Sequence, residues 1–504
     1  MNATLALGRW AREQPDQPAI YVTRRGTDRS ITFAELDDRT LRFAGALRRR
    51  GIGVGDYVAL LAPISISLYA ALIGVMRAGA VAVVVDPGAG LARMRAAYRR
   101  VKPEAVVGTR TALAITPLVP ELRSVARVHL GARDDPIETV DLDQDAPALL
   151  TFSSGSTGAP SAVVRTHGLL SAQNTALQHV LRQRPGQRWL ATLPIFVLAH
   201  LAEGATAVIA DANLRRPGSA DGTRLAAQIR RLRTDAVVAS PSLLERLVGA
   251  TDASGFKRVF TGGAPVLPSA VRRFRRLAPN GSVTIVYGST EAEPIAHLTD
   301  PSEEDLERAA NGEGLPVGPP CPSARIRVIS KPPRHKLSSA ELDGITLKPG
   351  EAGELIVAGT HVVRGYLDGQ GDEQTKIRVT AAGTTETWHR TGDACRVDES
   401  GAIWLLGRSI AGVTFDGKTA YPFEVEAPVK EQLGVGCALV PGQDQPTIAV
   451  ACDLAEELVG QVLGFPVRVI HVPRIPLDRR HNAKTDYEAL AALVREQSPH
   501  PPRS

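Results

Sequence analysis

The chain has 504 residues, with 59 basic and 53 acidic side chains and a formal net charge of +6. That length exceeds a single compact core and predicts two or three domains, and 43% apolar against 22% charged content excludes a disordered or fibrous chain. Four scattered cysteines (Cys321, Cys395, Cys437, Cys452) without C-x-x-C spacing argue against a disulfide framework and a zinc site, and suit a reducing cytoplasm. In chain order, ITFAELDDRTLRFAGALRRRGI predicts a short strand, a Thr32 cap and an amphipathic helix ending near Gly51. The uncharged run 58–76 approaches transmembrane length, but Pro63 interrupts it. It divides into a strand over 57–62 and a buried helix over 65–77, followed by a strand over 80–86, the unit of a parallel sheet. No signal-peptide pattern opens the chain, and no integral membrane segment is expected.

Helical and extended segments alternate to about residue 300, the pattern of doubly wound α/β sheets, where ligands gather beyond the carboxyl ends of strands. From about residue 316 short alternating strands predict a β-rich subdomain, and after Arg408 a small α+β unit begins. The expected fold is a large N-terminal domain over 1–407 containing that β-rich subdomain (about 316–407), a hinge at 408–410, and a small mobile C-terminal lid over 411–504. Only nine of the 59 basic residues are lysine, so a lysine in a suggestive place stands out. The arginine clusters 48–50, 230–233 and 272–276 fall on amphipathic helices and read as solvated helix faces, with no aromatic interleaving for base stacking and no nucleic-acid partner expected.

The segment TFSSGSTGAPSAVVRTH joins a strand to a helix. Ser153, Ser154, Gly155, Ser156, Thr157 and Gly158 can fold N–H groups and hydroxyls around a polyphosphate, with a helix N-terminus beyond. Taken alone, the same composition also suits a surface linker. The Walker pattern occurs only as GVTFDGKT (412–419), where no apolar strand precedes it and Pro422 follows, so it reads as a turn. Three further stretches, VYGSTEAEP (286–294), HRTGDACRVDESGAIWLLGR (389–408) and RRHNAKTDY (479–487), complete a set of four.

Together, in this order, the four resemble the adenylate-forming superfamily of acyl-CoA synthetases, peptide-synthetase adenylation domains and luciferases. VDPGAGLARM, GGAPVLP, WHRTGD and IPLDRRHNAK are similar to its β-lactone synthetase branch of olefin biosynthesis. The resemblance implies attack of a carboxylate on the α-phosphorus of ATP, giving acyl-AMP and pyrophosphate, with Mg²⁺ and hydrogen-bond donors holding the phosphoryl charge. A nucleophile then displaces AMP: either a β-hydroxyl of the substrate, closing a β-lactone, or an external thiol or amine, with CoA, a carrier protein or another pathway enzyme as partner. An acyl-CoA ligase for fatty or aromatic acids and a non-catalytic nucleotide-binding homologue are the alternatives.

By the same resemblance, loop 153–158 grips the β- and γ-phosphates. Glu291 binds Mg²⁺, Thr290 reaches the α-phosphate with Gly288 and Ser289 beside it, and Tyr287 stacks on adenine opposite Gly263 and Ala264. Asp393 takes the ribose hydroxyls, Arg408 contacts ribose or phosphate at the hinge, and Lys484 meets the carboxylate and α-phosphate. Phe196 and Val197 fall where the acyl pocket is lined, and His167 closes the loop motif or caps a helix. Two departures are plain: Ser161 and Ala162 replace the usual lysine and glycine, and Ile410 replaces the hinge aspartate. Loss of the lysine removes a charge-assisted phosphate contact, which Arg165 would supply only in part.

Overall fold

The structure, a computed structural model, describes residues 2–24, 26–86, 90–153, 161–250, 255–330, 334–477 and 484–497, with backbone only at Ser153 and Gln497. Among these residues the strands form three large sheets and two small ones. The first runs Ala292–Thr299, Ser282–Ser289, Arg258–Gly262, Ala236–Ala239, Arg188–Ala191, Thr206–Ile209, Pro18–Arg24, Thr27–Thr32. Its interior pairs are parallel, and only the pair at each end is antiparallel. Short apolar strands such as Ala236–Ala239 are buried throughout because helices cover both faces, which is why they show no alternation. The second sheet repeats this plan in the order Ala126–His129, Ala105–Gly108, Tyr57–Leu61, Val81–Val84, Pro147–Ser153, Ser161–Thr166, with an antiparallel pair at its end.

The run 58–76 divides as its proline requires. Tyr57–Leu61 is a strand, Ser65 caps the helix Ile66–Arg77, and Val81–Val84 pairs parallel with Tyr57–Leu61. The helix is apolar on all sides because it lies between the two large sheets, in one cluster with Val58 and Leu60 of one and Ile20 and Ala207 of the other. No helix of the described residues is long and apolar enough to cross a membrane. Thr32 caps Phe33–Arg48 by a reciprocal box: its hydroxyl accepts from Glu35 N at 3.2 Å and its N–H donates to the Glu35 carboxylate at 3.0 Å. That helix ends at Arg48, one turn before the expected glycine. The arginine clusters sit at helix ends and pair with carboxylates, Arg273 with Glu245 at 2.7 Å and Arg272 with Glu303 at 3.0 Å.

A third sheet opens at Leu315–Gly318, where the composition changes, and pairs it with Ile403–Arg408, Thr384–Val397, Gly353–Ala358 and Arg325–Ile329 in antiparallel succession. Bridges Ala292–Val362 and Ala296–Pro320 seat it against the edge of the eight-stranded sheet. Beyond it, residues 413–494 hold two apolar clusters of their own. A smaller cluster of Ala309, Leu315, Trp404 and Ala427 joins the helix Pro422–Leu433 to the preceding sheet. The Walker-like stretch is a hairpin, Val413–Phe415 against Lys418–Ala420, turned by Asp416 (φ 47°) and Gly417 (φ 73°). Both turn residues are left-handed, the geometry of a two-residue hairpin and not of a phosphate loop.

Glu426, on Pro422–Leu433, fastens the last helix, Tyr487–Gln497, to this C-terminal unit. It accepts from the Tyr487 hydroxyl and from Leu439 N, each at 2.9 Å. Burial pushes its carboxyl up to about 7, against the pull of those two donors. The folded chain therefore holds a proton that the unfolded chain releases near 4.5, so stability falls as pH rises through that window. The Glu426→Gln variant should match the parent near pH 5 and exceed it at pH 8 by up to ~3 kcal/mol. Thermal unfolding across pH 5 to 8 measures this, and a difference that stays constant with pH contradicts it.

Candidate active site

Strands of three sheets meet around the stretches 286–294 and 389–408. Tyr287 stands near the end of Ser282–Ser289 and Asp393 in Thr384–Val397, so they belong to different sheets. The Tyr287 hydroxyl donates to Asp393 Oδ2 at 2.8 Å. Asp393 Oδ1 accepts from Arg408 Nη1 at 2.9 Å, and the same nitrogen donates to the Thr391 carbonyl at 3.1 Å. Asp393 and Arg408 are direct partners in the antiparallel register, which places the guanidinium across the carboxylate. Gly392, at φ 69°, makes that approach possible, since a Cβ there would stand 3.0 Å from Arg408 Nη2. The Asp393 charge raises the Arg408 pKa further, and burial with the adjacent carboxylate raises that of the Tyr287 phenol well above its usual range. Both remain donors at neutral pH.

The turn after Tyr287 is built from its own hydroxyl chemistry. Ser289 Oγ accepts from Glu291 N at 3.3 Å and Ala292 N at 3.2 Å. This holds Gly288, Ser289, Thr290 and Glu291 in a tight bend at the sheet edge, all half-buried. Gly262 and Gly263 end the neighbouring strand. A Cβ on Gly262 would lie 2.2 Å from the Val286 carbonyl oxygen, and Gly263 takes φ 77°, so this corner admits only glycine at the first position and favours it at the second. Ala264 follows, half-buried.

Three residues outside the expected set tie this bend in place. Arg165, 6% exposed, donates to Thr151 Oγ1 at 2.6 Å and to the Thr290 carbonyl at 2.8 Å. It therefore links the strand that leads into the serine-rich loop to the Thr290–Glu291 bend. The Tyr366 hydroxyl donates to Glu291 Oε1 at 3.1 Å. Lys376, 1% exposed, lies 5.3 Å from the Tyr366 ring centroid, and its Nζ donates to the Val363 carbonyl at 2.6 Å and to His389 Nδ1 at 3.3 Å. Burial brings the Lys376 amine down to about 8, while Glu291 and Asp372 work to keep it charged. Its rarity as a lysine was the available signal. Nothing local in the sequence marks Tyr366, and Arg165, weighed above only as a partial substitute for the lost lysine, donates to the protein backbone instead, because their partners lie 75 and 125 residues away.

Of the remaining expected residues, Ser154, Gly155, Ser156, Thr157 and Gly158 lie outside the described residues, and Ser153 is described only as backbone paired with Ser161. Lys484 is exposed, next to Thr485, which bridges to Leu477. His167 is fully buried at the first position of its helix and accepts from Ala3 N at 3.1 Å, while Thr166 provides the cap. Ile410 is 62% exposed in the short turn Ser409–Ala411, whose Ser409 hydroxyl donates to the Gly392 carbonyl at 3.0 Å. Phe196 and Val197 are packed into two separate cores. Their neighbours Ile195, Leu198 and Ala199 instead face a cavity of about 250 Å³, on whose wall Arg165 and Glu293 also stand.

Among the described residues no group of three or more His, Cys, Asp or Glu is arranged to hold a metal. Glu291 alone presents a carboxylate at the bend. One hard oxygen ligand suits Mg²⁺, which completes its octahedron with water and substrate phosphates, and does not suit a fully protein-caged ion.

Residues 7–367 match the AMP-binding enzyme family, and the chain belongs to that family: it is an adenylate-forming enzyme. An olefin beta-lactone synthetase of Xanthomonas campestris is 29% identical over 98% of both chains, and one of Stenotrophomonas maltophilia is 31% identical over 97% of both. Among solved structures, O-succinylbenzoate coenzyme A synthetase from Bacillus subtilis, in complex with ATP and magnesium, shares the fold. Its TM-score is 0.75 at 20% identity, over 96% of this chain and 98% of that one.

Removing the Arg165 guanidinium leaves the Thr290 carbonyl and Thr151 hydroxyl short of a buried donor. The Arg165→Met variant should lose roughly 3 kcal/mol of stability. Urea unfolding reads the loss, and a change below about 1 kcal/mol would show that Arg165 does not hold the bend.

Proposed function

We propose that this enzyme activates a 3-hydroxy carboxylic acid with ATP and closes it to a β-lactone. A carboxylate oxygen attacks the α-phosphorus and pyrophosphate leaves. The β-hydroxyl oxygen then attacks the acyl carbon, AMP leaves, and the hydroxyl proton passes to solvent or base. The observation that carries this reading is the meeting of Tyr287, Asp393 and Arg408 from two sheets beside the Thr290–Glu291 bend. The end-to-end similarity to two olefin beta-lactone synthetases favours the internal acceptor.

In this reading Asp393 keeps lone pairs for the ribose hydroxyls while Tyr287 and Arg408 fix its orientation, and the Tyr287 ring borders adenine beside Gly263 and Ala264. Mg²⁺, held by Glu291, supplies charge neutralisation on the phosphates. Tyr366 sets the rotamer of Glu291 for that purpose. Thr290 points at the α-phosphate, and the serine-rich loop at 153–158 wraps the pyrophosphate. Lys484 comes from the C-terminal unit over 411–504, which acts as a lid hinged at 408–410. Its closing step shields the mixed anhydride from water. The internal hydroxyl makes CoA and a carrier thiol unnecessary, and the neutral Ser161 makes pyrophosphate binding depend on backbone donors.

Incubation with ATP, Mg²⁺ and a 3-hydroxy acid, without thiol or amine, should yield AMP, pyrophosphate and a product lighter than the acid by one water. Mass spectrometry of the product checks it. AMP appearing only when CoA or an amine is added would sink the lactone reading and leave the first step standing. Lys484→Ala should lower pyrophosphate release about 100-fold or more, in line with loss of a charge at the reacting centre. Tyr366→Phe should raise the half-saturating Mg²⁺ concentration about tenfold, the worth of one hydrogen bond to a carboxylate.

A further inference from the structure

The cavity of about 250 Å³ is walled by the helix Leu5–Glu13 and by apolar side chains such as Met76, Leu177, Ile195 and Leu198. Polar side chains, among them Arg9, Arg165 and Gln173, interrupt that apolar lining, and two of its oxygen acceptors stand out. Asn174 Oδ1 is buried and takes no hydrogen bond, although its amide nitrogen donates to Glu203 at 2.6 Å. Glu293, half-buried, makes no hydrogen bond or ion pair with any described residue. A carboxyl group without a donor on the rim of an apolar chamber is costly, and native proteins retain such groups where a ligand or water completes them. The position matters as much. Glu293 follows Glu291 by two residues, and Arg165 stands on the cavity wall while donating to the Thr290 carbonyl. The chamber therefore reaches the underside of the bend at which the acid is activated.

We propose that Glu293, with Asn174, selects an acid whose acyl group carries a hydrogen-bond donor, an amino or hydroxyl group, lodged in this cavity. The inference rests on the adenylation reading and adds a specificity determinant to it. Among the described residues neither acceptor has a donor, and an unsubstituted hydrocarbon chain would leave both unsatisfied. The volume equals about eight waters at roughly 30 Å³ each, enough for a six-carbon chain. Sites built to hydrogen-bond a substrate group reject analogues that lack it far more strongly than apolar pockets reject a methylene.

The test compares hexanoic acid with hexanoic acids bearing an amino or hydroxyl group at C2, C3 or C6, reading acid-dependent pyrophosphate release. The wild type should favour at least one donor-bearing acid over hexanoic acid by about 10- to 100-fold in kcat/KM. Glu293→Leu should reverse that order by losing the donor-bearing acid and improving hexanoic acid. Glu293→Gln, which keeps an acceptor of the same shape, should hold the wild-type order. Activation of all acids without a donor preference overturns the inference and leaves adenylation standing, as does an equal loss with every acid in Glu293→Leu. Thermal shift with hexylamine reads the cavity without any adenylation: a stabilisation of the wild type that Glu293→Leu lacks is expected, and no shift in the wild type counts against the inference. Pyrophosphate release from none of the acids, with the hexylamine shift intact, would instead strike the adenylation reading.

Discussion

The arrangement depends on one carboxylate held from two directions. Asp393 belongs to the β-rich sheet, Tyr287 to the eight-stranded sheet, and the 2.8 Å bond between them spans the seam. Arg408 closes the other oxygen from the neighbouring strand. A carboxylate with one donor on each oxygen has little rotational freedom, and charge-assisted bonds of this kind are the stronger class. Each sheet could fold with its own hydrogen bonds satisfied. Only their docking brings these three side chains together, so the site reports on the seam between layers and not on any single layer.

The same logic governs the charges behind it. Arg165 and Lys376 are both nearly inaccessible, and each spends its donors on backbone carbonyls at the bends beside Glu291. Removing a cation from water is expensive unless hydrogen bonds and counter-charge offset it. Here the counter-charge is Glu293 near Arg165, and Glu291 with Asp372 near Lys376. Buried cations thus set the backbone of the bend that carries Glu291. The strand Lys376–Ala381 would otherwise read as a plain strand of a half-buried sheet.

Much of the fold was legible because it is written locally. Pro63 and Ser65 mark where strand gives way to helix, and Thr32 with Glu35 marks the start of another. The change to Gly- and Pro-spaced strands near residue 316 coincides with the third sheet, and Pro422 after the GVTFDGKT stretch correctly argued against a phosphate loop. The motif around Tyr287 and the motif around Asp393 were each visible, and the resemblance implied that both meet one nucleotide, whereas their direct bond is a finding of the structure. What could not be read was long-range. Arg165 and Tyr366 owe their roles to partners 125 and 75 residues away, and periodicity carries no information about which sheet edge meets which. Phe196 and Val197 show the limit from the other side: the motif pointed to the helix Pro194–Ala202, and the face that helix turns to the cavity belongs to Ile195, Leu198 and Ala199.

The opening residues of the chain are structural members. Asn2 Nδ2 donates to the Met76 and Val140 carbonyls, Ala3 N to His167, and Ala3, Thr4, Ala6, Leu7 and Arg9 form one side of the chamber beside Glu293. The amino-terminal strap is therefore one wall of that cavity, anchored by its own hydrogen bonds. Changes in this strap would reshape the cavity while leaving Tyr287, Asp393 and Arg408 where they are, so the shape of the chamber and the geometry of the seam vary independently.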